Sequence, residues 1–114
     1  MFGIKSITRG EALYLLRKRK NLNQTEAAKI EGVNRADYGA WETGKQEYTG
    51  SRNILTVKDL VTHEFCVIAR RREGIRQRDL SAAIKKSRYW VVLMEAGEKD
   101  CSPLVEHWSN LHGE

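Results

Sequence analysis

Three kinds of side chain in this 114-residue chain could do chemistry: imidazoles, thiols and a large set of cations. His63, His107 and His112 have no cysteine or carboxylate at the spacing of a metal or catalytic constellation. No glycine-rich phosphate loop follows a strand either, so neither an enzyme nor a cofactor or metal site is expected. Cys66 and Cys101 stand far apart, without a Cys-x-x-Cys pair, which argues against a zinc site or a disulfide framework. Cys66 lies in the apolar run FCVIA and reads as a small buried hydrophobe, while Cys101 follows a charged turn and is expected to be exposed. The remaining chemistry is cationic. Basic side chains gather at 17–20 and 70–72, and again at Arg76, Arg78, Lys85, Lys86 and Arg88. With a net charge of +5 and an isoelectric point near 9.4, the chain favours a polyanionic partner.

The elements that must position these cations are bounded by length and composition. A chain of this length fits one ordinary domain or two very small ones, and 40% apolar with 31% charged residues is the balance of a folded protein. No apolar stretch approaches the roughly 20 residues that span a bilayer, so no membrane partner is expected. The N-terminal MFGIKSITRG lacks the apolar centre of a signal peptide. A reducing, cytoplasmic setting follows as the expectation.

Sliding the chain by 53 residues superimposes Arg17 on Arg70, Gln24 on Gln77, Arg35 on Arg88, Glu42 on Glu95 and Gly44 on Gly97, without a gap. Conservative pairs fill the intervals, among them Leu22 with Ile75, Glu26 with Asp79 and Trp41 with Met94. The chain therefore reads as two copies of one helical unit, residues 1–60 and 61–114, in an all-α fold. In copy one, EALYLLRKRK places Ala12, Leu13 and Leu16 at helical spacing. A second helix starts after the cap Asn23 and runs to about Ile30, where Gly32 supplies the turn. Asn34 caps a third helix that buries Tyr38 and Trp41 on one face. GSRNILTVKDLV reads as a further short helix, and KDLVTHE at the boundary as helical too. Copy two repeats the plan with FCVIARRRE, then Gln77 to about Ile84, then RYWVVLMEAG after the cap Ser87. SPLVEHWSNL follows, with Ser102 as its cap and Pro103 at the first helical position.

LRKRKNLNQTEAAKIEGVNRADYGAWETGK resembles the lambda-repressor-like, or xenobiotic-response-element, family of helix-turn-helix DNA-binding proteins. Arg17, Gln24, Ala27, Ala28, Gly32, Val33, Asn34, Tyr38, Trp41, Glu42 and Gly44 fill that family's pattern. Copy two is similar through Arg70, Gln77, Leu80, Ser81, Ile84, Ser87, Val91, Met94, Glu95 and Gly97, with Lys85 in place of the turn glycine. The resemblance implies two tandem helix-turn-helix units acting on double-stranded DNA, the second helix of each pair being offered to the major groove. It implies contacts from Gln24, Asn34, Arg35, Ala36, Asp37, Ala40 and Lys45 in copy one and from Gln77, Ser87, Arg88 and Tyr89 in copy two. Gln24 is expected at phosphate. Arg35 is the candidate for guanine, whose two major-groove acceptors suit a guanidinium; Ala36 could meet a thymine methyl, and Asp37 could accept from cytosine or orient Arg35. Lys18 and Arg19, like Arg71 and Arg72, are left for phosphate, because the family role of Glu42 and Glu95 is to pair with Arg17 and Arg70.

Two departures qualify the resemblance. Glu31 stands where the family places an apolar residue, so Ile30 is expected to take over that packing. Copy two presents Tyr89, Trp90 and Val92 on a helix that is ordinarily polar, a surface suited to a homodimer contact, an interdomain contact or a protein partner. The expected function is that of a sequence-specific transcriptional regulator, a repressor occluding a promoter, with two units in one chain meeting two half-sites. The alternative is a protein-interaction module, such as an antitoxin or adaptor, that uses the second unit.

Overall fold

The computed structural model describes residues 1–52 and 54–113. The fold is all-α, with seven α-helices and one short 3-10 turn among the described residues. The chain divides into two compact units, Ser6–Asp59 and Leu60–Glu114, and Met1–Lys5 groups with the second of them. The expected division at 60/61 thus has its counterpart at 59/60, but the first five residues belong with the other unit.

In the first unit α1 spans Arg9–Arg19, α2 Gln24–Glu31 and α3 Arg35–Thr43. Each start is fixed by a side chain that accepts an otherwise unpaired amide of the first turn. The Asn23 carboxamide accepts from Glu26 N at 2.8 Å while Glu26 Oε1 accepts from Asn23 N at 3.0 Å, a reciprocal cap repeated by Thr8 and Glu11. Asn34 Oδ1 accepts from Asp37 N at 2.7 Å and opens α3. Gly32 closes α2 in the left-handed conformation at φ 72°, allowing Val33 N to reach back to Ala28 O at 3.0 Å. The buried cluster joins Leu13, Ala27, Ala28, Tyr38, Trp41 and Tyr48. Trp41 is its centre, edge-on to Tyr48 at 5.0 Å and to Tyr38 at 6.2 Å. Gly10 is what lets α1 approach α3, since a Cβ there would lie 2.2 Å from the Trp41 carbonyl oxygen.

Three expectations fail here. The segment 50–61 is not a helix: Val57–Asp59 forms one 3-10 turn, and the rest of the described segment is irregular, Asn53 lying outside the described residues. Tyr48 accounts for the difference. Gly50 sits against its ring so closely that a Cβ would clash, and Arg52 N donates to its hydroxyl at 3.4 Å, so the chain is bent around a buried phenol instead of coiling. Nor does Ile30 take over for Glu31, because Ile30 is 60% exposed. The Glu31 carboxylate instead accepts from Tyr48 Oη at 3.2 Å and from Arg52 Nη1 at 2.9 Å, which satisfies a half-buried charge without apolar packing. KDLVTHE is likewise interrupted at Leu60 and Val61 before the next helix begins.

In the second unit α4 spans Thr62–Glu73, α5 Gln77–Ile84, α6 Arg88–Glu95 and α7 Ser102–His112. The first three begin 53 residues after α1, α2 and α3. Lys85 adopts φ 58°, the left-handed conformation that Gly32 supplies in the first unit. Ser87 Oγ accepts from Trp90 N at 3.2 Å and starts α6. Leu80, Val91, Met94, Leu104 and Trp108 are buried with Cys66. Cys101 is half-buried rather than exposed and neighbours Cys66, whose thiol is pushed up chiefly by burial and then by Cys101. The α7 start differs from expectation by one position: Ser102 is the first helical residue, and the Asp100 carboxylate takes its N at 3.0 Å and its Oγ at 2.7 Å. The carboxylate, a stronger acceptor than the serine hydroxyl, assumes the capping role.

Candidate nucleic-acid interface

Each unit holds its short helix pair with one polar triad around a buried glutamate, and three hydrogen bonds recur in both through the same atoms. Arg17 Nε donates to Glu42 Oε2 at 2.6 Å and Arg70 Nε to Glu95 Oε2 at 2.7 Å. Arg17 Nη1 reaches Leu22 O at 3.0 Å, and Arg70 Nη1 reaches Ile75 O at 3.1 Å. Gln24 Nε2 donates to Glu42 Oε1 at 3.1 Å, and Gln77 Nε2 to Glu95 Oε1 at 2.9 Å. The arginine therefore fixes the loop into the first helix of the pair, the glutamine fixes that helix's start, and the glutamate ties both to the end of the second. Burial opposes the charge of Arg17, but hydrogen bonding and attraction from Glu42 outweigh it and hold the guanidinium above its ordinary value. The Tyr38 phenol is pushed up, first by burial and then by the same carboxylate.

The pairing of Arg17 with Glu42 and of Arg70 with Glu95 agrees with the roles expected of them. Gln24 and Gln77 each place one of their two amide hydrogens on the buried glutamate, so both side chains have an inward, structural bond besides the phosphate contact expected of them. Each Gln–Glu pair spans 18 residues and recurs in both copies, a spacing that could have flagged the inward bond.

On α3 the Arg35 and Ala36 side chains are exposed, Asp37 and Ala40 are half-buried, and Asn34 is exposed at the cap. The Gln24 carboxamide lies 3.8 Å from where a Gly39 Cβ would be, so the start of α2 adjoins the outer face of α3. Lys45 is exposed just beyond the closing Gly44. Lys18 and Arg19 occupy the end of α1: Lys18 Nζ lies 5.5 Å from the Tyr14 ring centroid, and Arg19 Nη2 donates to Asp59 O at 2.7 Å. Arg19 thus has a structural duty at the 3-10 turn that its place in a basic run did not disclose.

In the second unit Arg70, Arg76, Gln77, Arg78 and Arg88 line one open cleft of about 390 Å³ at the start of α5. Arg70 is held by Glu95, and the exposed Arg76, Arg78 and Arg88 around the same opening make a surface for phosphate or carboxylate oxygens. Arg76 also meets Asp79 Oδ2 at 3.2 Å, which holds that carboxyl below its usual range. Ser87 is exposed at its cap, and Arg88 and Tyr89 follow it at the surface. Tyr89, Trp90 and Val92 are 69%, 43% and 38% exposed. Lys99 Nζ stands 4.5 Å and Lys86 Nζ 5.9 Å from the Trp90 ring centroid, so two cations flank this indole.

Among the described residues no group of three or more histidine, cysteine or acidic side chains could hold a metal ion. No described helix is long and apolar enough to cross a membrane. Comparison of the chain with protein-family models, curated proteins and solved structures finds no match.

Proposed function

We propose that this chain is a sequence-specific double-stranded DNA-binding regulator of transcription, a non-enzymatic and cofactor-free cytoplasmic repressor that occludes a promoter with two helix-turn-helix units. The observation carrying this reading is the duplicated triad, which locks a short helix pair in each unit and leaves an arginine, Arg35 or Arg88, exposed at the start of the outer helix. A rigid helix with a guanidinium at its N-terminal end suits base-edge contact in the major groove. The arginine cleft beside α5 supplies backbone affinity. Gel-shift titration against a random duplex and a selected one, at several salt concentrations, tests the reading. Tight binding that weakens steeply with salt and is stronger for the selected duplex is the expected result, since counterion release accompanies phosphate contact. Salt-insensitive or absent binding would overturn it.

A second reading has one specific observation in its favour. The exposed Tyr89 and Trp90 combine with Arg88 into a surface of the residue types enriched at protein–protein hot spots, with the apolar Val92 on the same helix, so the second unit could dock a protein as an adaptor or antitoxin does. Loss of a protein complex on Tyr89→Ala, with DNA affinity unchanged, would favour that reading.

A further inference from the structure

We propose that the two units read different bases around a shared guanine, so that the DNA site of one chain is bipartite and non-palindromic; this rests on the DNA-binding reading above. The shared part follows from the scaffold. α2 and α3 recur as α5 and α6 at the same 53-residue offset, and the triads hold them through the same atoms. Arg35 and Arg88 are thereby presented alike, each first in its helix and each exposed. A guanidinium so placed selects guanine in both halves.

The difference lies in the residues that follow. After Arg35 come the exposed Ala36 and the carboxylate of Asp37; after Arg88 come Tyr89 and Trp90. Asp37 can accept from the cytosine amino group and repels phosphate, while the small Ala36 and Gly39 keep the α3 surface low. Tyr89 and Val92 are exposed, and the apolar atoms they offer in the major groove favour thymine methyls. Trp90 contributes no acceptor there; its ring instead carries the Lys99 and Lys86 ammonium groups, which are attracted to the DNA backbone. One half-site therefore combines guanine with cytosine, the other guanine with thymine. A symmetric dimer of identical reading helices would impose a palindrome, whereas two unlike helices in one chain carry no such constraint.

The test is selection of bound duplexes from a random pool by the full chain, followed by binding of the selected site to variants. Two half-motifs that share a guanine but differ beside it are expected. Arg35→Ala should erase the guanine preference in one half and Arg88→Ala in the other, each by about 5- to 150-fold. Tyr89→Ala combined with Trp90→Asp alters only exposed positions, so thermal melting should stay cooperative, and its thymine-bearing half should shift toward the cytosine-bearing one. Two identical halves, or a single motif, would overturn the inference while leaving DNA binding standing. Unchanged preference with a changed mass by light scattering would overturn it too, assigning the aromatic face to protein contact. If no duplex is retained at any salt, the DNA-binding reading falls and takes this inference with it.

Discussion

Glu42 ties together three parts of the first unit: its two oxygens receive Arg17 and Gln24 at the end of α3, and its side chain is 1% exposed. A buried pair of this kind contributes little net attraction beyond its desolvation, but removing one member leaves an uncompensated charge in low dielectric. Glu42→Ala should accordingly cost about 3 to 5 kcal/mol in chemical denaturation, as should Glu95→Ala in the second unit. Gln24→Ala removes one hydrogen bond to a charged group that keeps Arg17 as its partner, so a smaller loss of about 1.5 to 3 kcal/mol is expected. If Gln24→Ala instead left stability untouched and weakened DNA binding uniformly, the glutamine would belong to the phosphate surface after all. At this scale the sequence was partly legible. The Arg–Glu pairings could be expected from the repeat and the resemblance, but the inward turn of both glutamines depends on geometry that residue types do not specify.

The helices α2 and α5 close with the same left-handed backbone, but the residue that adopts it is Gly32 in one and Lys85 in the other. A residue with a Cβ carries a conformational penalty there, and glycine does not. Lys85→Gly should therefore raise stability by about 0.5 to 1 kcal/mol, and Gly32→Ala should lower it by about 1 to 2 kcal/mol, both read from urea midpoints. Opposite signs are the point of the pair; a loss in both would mean that the Lys85 side chain contributes packing that outweighs its strain. Element starts were readable because capping is local: Asn23, Asn34 and Ser87 each need only the amide three residues on. The segment 50–61 was not readable, because its course is set by the burial of the neighbouring Tyr48 and by the Glu31 carboxylate, 21 residues away from Arg52. The α7 start shows the same lesson in miniature, with Asp100 rather than Ser102 supplying the acceptor. Hydrogen bonds from the Ser102 hydroxyl and amide hold the Asp100 carboxyl below its ordinary range, so its contribution is present above the usual carboxylate titration and lost as pH falls through the lowered value. Asp100→Ala should thus lower the melting temperature at neutral pH and converge on the unaltered protein in acid; a difference that persists at low pH would show that charge on Asp100 is not what matters.

Over the whole chain, the charge of +5 states that a polyanion is favoured but not which cations meet it. The structure separates two sets. Arg76, Arg78 and Arg88 surround one open cleft, whereas Arg19 is drawn to the Asp59 carbonyl and Lys18 lies near the Tyr14 ring. Each cation that neutralises a phosphate adds about 0.9 to the slope of log affinity against log salt. Changing Arg76, Arg78 and Arg88 together to Gln should flatten that slope by about 0.9 for each phosphate no longer neutralised, and should weaken scrambled and selected duplexes alike, apart from the guanine preference proposed for Arg88. Lys18→Ala with Arg19→Ala should flatten it less, because part of the Arg19 hydrogen bonding is already engaged within its own unit, and should instead loosen the 3-10 turn at Val57–Asp59. Salt titrations of both variants on one duplex decide the matter. An equal flattening would assign phosphate contact to the end of α1 as much as to the cleft, and a slope unchanged in the arginine variant would remove the cleft from phosphate contact.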